Sequence, residues 1–197
     1  TSFSSAIKLL HKQMRPHIHN IYGFVRFADE IVDTFHGYNK EQLIAEFKKE
    51  TYTAIERGIS LNPILHSFQI TVNHYKIDHA LIDAFFHSME LDLNQYQYDA
   101  NGYEEYIYGS AEVVGLMCLY VFCEGCNNSY HALKPAARSL GATFQKVNFL
   151  RDIKNDGENI PRLSSFMVVG IDDVLYMTKE EDRHKMTRTI HNILQAS

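Results

Sequence analysis

At 197 residues, 45% of them hydrophobic and 22% charged, the chain reads as one soluble globular domain long enough to bury a large core. A formal charge of −5 lacks the basic face of a general nucleic-acid binder, so no nucleic-acid partner is expected. Three cysteines (Cys118, Cys123 and Cys126) argue against a disulfide framework, and the lone C-x-x-C has no second pair to complete a zinc site; buried free thiols and a cytoplasmic location are expected.

Residues 1–10 hold only a short apolar stretch and no cleavage-site pattern, so no signal peptide is expected. Helical periodicity runs through nearly the whole chain, and alternating strand runs are scarce. Helices are predicted over 4–13, 16–35, 40–57, 62–74, 78–97, 102–122, 130–155 and 178–195. Asn62-Pro63 and Asp78 suit helix starts, and Gly37, Gly58 and Gly125 suit stops. With no linker, no low-complexity tract and no repeat beyond two acidic motifs, the expectation is one all-α domain over 1–197. The histidines read as surface or cap positions, and His17 and His19, two residues apart, do not make a ligand pair.

The segment 102–122 is apolar or aromatic on nearly every face, including Tyr106, Ile107, Tyr108, Val113, Leu116, Met117 and Leu119. A helix hydrophobic all round belongs at the centre of its bundle. Its longest apolar stretch, 113–123, falls short of the about 20 residues a membrane span needs. Gly109, Ser110, Ala111 and Gly115 allow close backbone approach or leave room for a ligand.

Two aspartate pairs carry the chemistry. Asp29 and Asp33 sit in R-F-A-D-E-I-V-D, and Asp152 and Asp156 in N-F-L-R-D-I-K-N-D. Carboxylates four residues apart on a helix share a face and repel, so a cation is expected to satisfy each pair. One or two carboxylates per segment with phosphate completing the sphere is the Mg²⁺ pattern, with Mn²⁺ as a substitute. Arg26 lies three residues before Asp29 and Arg151 directly before Asp152, and arginine's planar fork suits phosphate. Gln145, Asn148, Asp152 and Asp156 form one continuous stripe on an otherwise apolar helix; such a stripe usually faces solvent, and its apolar neighbours make a lining of the bundle interior an equal reading. An apolar tunnel capped by a metal–phosphate site follows.

These segments resemble the squalene/phytoene synthase family, the head-to-head prenyl synthases, over 1–156. T-S-F-S is similar to the family's N-terminal Ser-Phe segment, which implies diphosphate contact for Ser2 and Phe3. I-Y-G-F-V-R-F-A-D-E-I-V-D resembles the first aspartate-rich motif, carrying over Tyr22, Arg26, Asp29 and Asp33. Y-I-Y-G-S-A-E-V-V-G-L-M resembles the central signature helix, which puts Tyr108 near the reacting carbons. L-G-A-T-F-Q-K-V-N-F-L-R-D-I-K-N-D is the most specific match and carries over Gln145, Asn148, Arg151, Asp152 and Asp156. The resemblance implies an isoprenoid-synthase helical bundle with the two motifs facing across a cavity and Mg²⁺ holding diphosphate between them. It implies the joining of two farnesyl or geranylgeranyl diphosphates through a cyclopropylcarbinyl diphosphate to phytoene, dehydrosqualene or squalene, with Tyr22 and Tyr108 stabilising cations or orienting the leaving group. Carotenoid-type products are favoured over squalene, since no dinucleotide fingerprint is present. Prenyl diphosphates are the expected partners, with peripheral membrane contact for product release.

Three departures stand out. Glu112 occupies a place where the family commonly has a small residue, residues 157–166 offer Arg162 but no following aromatic, and the stretch after Asp156 is short for the family. The bundle is therefore expected to be shortened at its C-terminal end. A terpene cyclase acting on one prenyl diphosphate would use the same chemistry, and a non-catalytic relative serving as an assembly scaffold is the alternative of a different class.

Overall fold

The structure is a computed structural model that describes residues 7–94 and 100–153, with the backbone alone for 94, 100–103 and 146–153. Its described elements are α1 (Arg15–Thr34), α2 (Lys40–Arg57), α3 (Pro63–Tyr75), α4 (His79–Asn94), α5 (Ala100–Ile107), a π turn (Tyr108–Glu112), α6 (Val113–Phe122) and α7 (Asn127–Ile153). The described residues are helices joined by short turns, as the periodicity predicts. The expected helix 178–195 lies outside the described residues.

Local chemistry explains the boundaries. Asn39 and Asn62 cap α2 and α3: Asn39 Oδ1 accepts from the Gln42 N–H at 3.0 Å, and Asn62 Oδ1 from the Ile64 N–H at 3.0 Å. Asp78 Oδ1 accepts from the Ala80 N–H ahead of α4. Gly58 ends α2 at φ +69°, where a side chain would be strained, and its N–H donates to Ala54 O. The predicted helix over 4–13 does not extend through 8–13, which forms turns. Pro16 lacks the N–H that a continuing helix would donate to Lys12, so it opens α1 instead, and the Arg15 guanidinium takes the Lys8 and Leu10 carbonyls.

α1 buries Ile18, Ile21, Phe24, Ala28, Ile31 and Val32, the i, i+3, i+7 face of an amphipathic helix. Phe24 is fully buried at the hub of an aromatic cluster: it stacks on Phe68 of α3 at 3.8 Å between ring centres and meets Phe47 of α2 and Phe85 and Phe86 of α4 within 5.3–5.6 Å. Burying such rings, at about 25 cal/mol per Å² of apolar surface, holds α1–α4 together. His17 departs from the surface expectation: it is part-buried, stacks on His74 and bonds to Thr71 Oγ1 at 3.0 Å, joining α1 to α3. Cys126 departs from the buried-thiol expectation, being exposed in the turn before α7.

The continuous rod α5–π turn–α6 is central. α4 packs on one side of it, α7 lies along α6 and the π turn, and α1 also packs on α6. α1, which carries Asp29 and Asp33, and α7, whose backbone reaches Asp152, therefore both pack on the same apolar rod; Asp156 lies outside the described residues. No helix among the described residues is long and apolar enough to cross a membrane.

Candidate active site

Alongside its buried stripe α1 carries Tyr22, Arg26, Asp29 and Asp33 at spacings of four, three and four, one line along the helix. Tyr22 is 43% exposed, Asp33 is exposed and Asp29 is partly buried. Burial and the neighbouring Asp33 carboxylate push the Asp29 pKa up to about 6; Arg26 opposes this, while Asp92 adds to it. Arg26 does not bond to Asp29. Its guanidinium donates to Glu30 Oε1 one turn along, and the Thr34 hydroxyl donates to Glu30 Oε2 at 2.9 Å. Thr34 and Arg26 together hold the Glu30 carboxyl below its ordinary value. Arg26 is therefore anchored at the rim, its charge felt by Asp29 only through space.

Asp92 of α4 is the site residue that the motif search missed. It continues the buried line Phe85–Met89 at i, i+4, i+7, so an acid takes the next place on a core-facing stripe. That break in an apolar stripe is the signal that could have found it.

On the central rod, Tyr108 opens the π turn, in which the Val113 N–H reaches back five residues to Tyr108 O. Single π turns inside α-helices occur often at functional sites. The turn is squeezed from both sides by backbone. A Cβ on Gly109 would lie 2.5 Å from Ala84 O of α4, and one on Gly141 of α7 would lie 2.9 Å from Ala111 O. Glu112 Oε2 accepts from Arg138 Nε at 2.5 Å, and the Arg138 guanidinium lies 5.1 Å over the Tyr108 ring. The buried Ser110 hydroxyl finds no hydrogen-bond partner among the described residues.

The backbone of α7 carries Gln145, which is part-buried, and continues through Asn148, Arg151 and Asp152 with the helical spacing of the predicted stripe. The side chains of those last three lie outside the described residues, as do Ser2, Phe3 and Asp156. Asp29 and Asp33 fit a hard divalent cation: they are oxygen donors one turn apart, in a negative field that disfavours the ionised Asp29 and that a cation would relieve. Among the described residues no three candidate ligands converge, so further donors would have to come from elsewhere. A pocket of about 330 Å³ lies at the α2–α3 turn, lined by Glu50, Arg57, Ser60 and Asn62, and none of the predicted site residues lines it.

A sequence profile described as squalene/phytoene synthase matches residues 1–164. The chain belongs to the squalene/phytoene synthase family. Within it, the chain is 27% identical over 167 residues to the presqualene diphosphate synthase of Rhodopseudomonas palustris, covering 79% of this chain and 55% of that protein. It is 24% identical over 165 residues to the 4,4'-diapophytoene synthase of Staphylococcus haemolyticus, covering 80% and 55% respectively. The chain thus spans about half the length of these relatives. In three dimensions it is similar to a dehydrosqualene synthase crystallised with a ligand, with a TM-score of 0.70, 19% identity, and coverage of 98% of this chain and 70% of that one. At that identity the likeness shows the shared helical fold.

Proposed function

We propose that the protein joins two prenyl diphosphates head to head in a Mg²⁺-dependent reaction, passing through a cyclopropylcarbinyl diphosphate to a C30 or C40 hydrocarbon. The observation that carries the reading is the Asp29–Asp33 pair on α1, which packs on the same apolar rod as α7 with its Gln145–Asp152 line. Asp29 and Asp33 on one side, and Asp152 and Asp156 on the other, would hold Mg²⁺ or Mn²⁺. Such ions, when bound, would supply Lewis acidity to the departing diphosphate. Arg26 and Arg151 add positive charge where the leaving group accumulates negative charge. Ser2 and Phe3 would contact diphosphate, and Gln145 and Asn148 offer amides to orient it.

In the chemistry proposed, the first substrate loses diphosphate and its allylic cation is attacked by the double bond of the second. Loss of a proton leaves the cyclopropylcarbinyl diphosphate. A second ionisation expels the remaining diphosphate; rearrangement and proton loss then give phytoene or dehydrosqualene, whereas squalene needs a hydride donor. The apolar rod keeps water from quenching the cations. Tyr22 and Tyr108 would stand beside them. The two relatives named as presqualene diphosphate and diapophytoene synthases lend support, since those names cover an intermediate and an end product of such a sequence.

The test is incubation with farnesyl or geranylgeranyl diphosphate and Mg²⁺, with pyrophosphate release and hydrocarbon mass as readouts. A C30 or C40 hydrocarbon or its cyclopropyl precursor is expected, and Asp29→Ala should abolish it. Absence of pyrophosphate release, or full activity in Asp29→Ala, overturns the reading. Cyclic products from a single substrate molecule would replace it with a cyclase.

A further inference from the structure

The Glu112 carboxylate, at a position where a small residue is expected, is matched by a cation from a different helix. Its partner Arg138 lies on α7, and Arg138, Gly141, Gln145, Asn148 and Asp152 follow at spacings of three, four, three and four. Arg138 thus begins the line that ends in the second aspartate motif, about 20 Å further along the helix at 1.5 Å per residue. At Gly141, one turn after Arg138, α7 comes so close that only hydrogen fits against Ala111 and Glu112. Opposite, Gly109 lets α4 approach just as closely. The π turn carrying Tyr108 is gripped between two backbones.

We propose that Arg138, clamped by Glu112, is a positioning residue for Tyr108: it covers one face of the ring and leaves the phenol hydroxyl as the group Tyr108 presents to substrate. This rests on the proposed reading, in which Tyr108 stands beside the reacting carbons. The physical argument concerns the ring face. A carbocation is attracted to an aromatic π cloud, but a guanidinium 5.1 Å over that cloud already uses one face and repels a second cation from it. An anionic leaving group, by contrast, accepts a strong charge-assisted hydrogen bond from the phenol O–H. Tyr108 therefore works as a hydrogen-bond donor to diphosphate rather than as a cushion for the cation. Arg138 suits the task because its side chain is 48% exposed whereas Glu112 is 15% exposed: the part-buried carboxylate fixes the guanidinium and the solvent keeps it charged. Such a half-solvated pair contributes little to global stability, so its removal should leave a folded protein.

The experiment compares wild type, R138M, R138K, E112Q, Y108F and the R138M/Y108F double variant on prenyl diphosphate with Mg²⁺. R138M is expected to lower kcat by about tenfold or more, the scale of a small misplacement, while KM stays within about twofold. R138K should recover part of the loss, and R138M should add little in the Y108F background because Arg138 acts through the hydroxyl that Y108F removes. A second readout needs no turnover: the Arg138 Nε–H proton resonance, identified by its loss in R138K, should shift when the ring is removed in Y108L. Wild-type turnover with unchanged R138M, or additive losses in the double variant, overturns the positioning role and leaves the proposed function standing. A wild-type protein that releases no pyrophosphate overturns the proposed function, and an unshifted Arg138 resonance in Y108L then removes the geometric basis as well.

Discussion

Replacing Asp29 by Asn should make the cation-free protein more stable at neutral pH. In the fold, burial and the Asp33 and Asp92 carboxylates raise the Asp29 pKa from 3.8 to about 6. The folded state therefore binds this proton more tightly than the unfolded state does. Stability from this group is fully present below about pH 4 and is lost as pH rises to about 6, the window between the two pKa values. A difference of about two units at about 1.36 kcal/mol each gives about 3 kcal/mol as the ceiling, since the carboxylate retains some contact with solvent. In urea titrations followed by far-UV circular dichroism with a chelator present, wild type should lose up to about 3 kcal/mol relative to D29N between about pH 4 and about pH 7. Mg²⁺ with pyrophosphate should then recover stability in wild type and much less in D29N, because bound cation replaces the proton and relieves the repulsion. Parallel pH profiles for the two proteins would refute the electrostatic argument.

Three further outcomes are open to measurement. Phe24→Ala should cost about 3–5 kcal/mol in denaturant unfolding, because the ring is fully buried and contacts four other phenylalanines. Gly109→Ala should destabilise by about 1–3 kcal/mol or more, its methyl meeting the Ala84 carbonyl 2.5 Å away; a neutral result would mean that α4 does not approach the π turn this closely. A thiol reagent at neutral pH should modify Cys126 first, since it is exposed and hydrogen bonds from Ser129 and Asn128 hold its pKa below the ordinary value. Cys118, which burial pushes up to about 12, and Cys123, raised by burial, should react only on unfolding.

Where the sequence was legible, local physics sufficed. The caps at Asn62 and Asp78 and the left-handed stop at Gly58 depend on residues within four positions of one another, and the separation of α1 into a Phe24 face and an Asp29 face is equally local. The expected helix over 8–13 is replaced by turns whose Lys8 and Leu10 carbonyls accept from the Arg15 guanidinium, a contact that apolar spacing does not register. Arg26 shows a subtler case. Asp29 and Glu30 compete for it at three and four residues, and side-chain geometry chose Glu30.

Sequence by itself determined that the fold is all-α and that Asp29 and Asp33 share one line of a helix, because a helix's faces follow from a period of 3.6 residues. Only the tertiary structure decided which charges share a neighbourhood. Asp92 reaches the field of Asp29 from a helix about 60 residues away, and Arg138 answers Glu112 across a contact between helices. Coulomb energies depend on distance through space, and folding alone makes short distances between residues far apart in the chain.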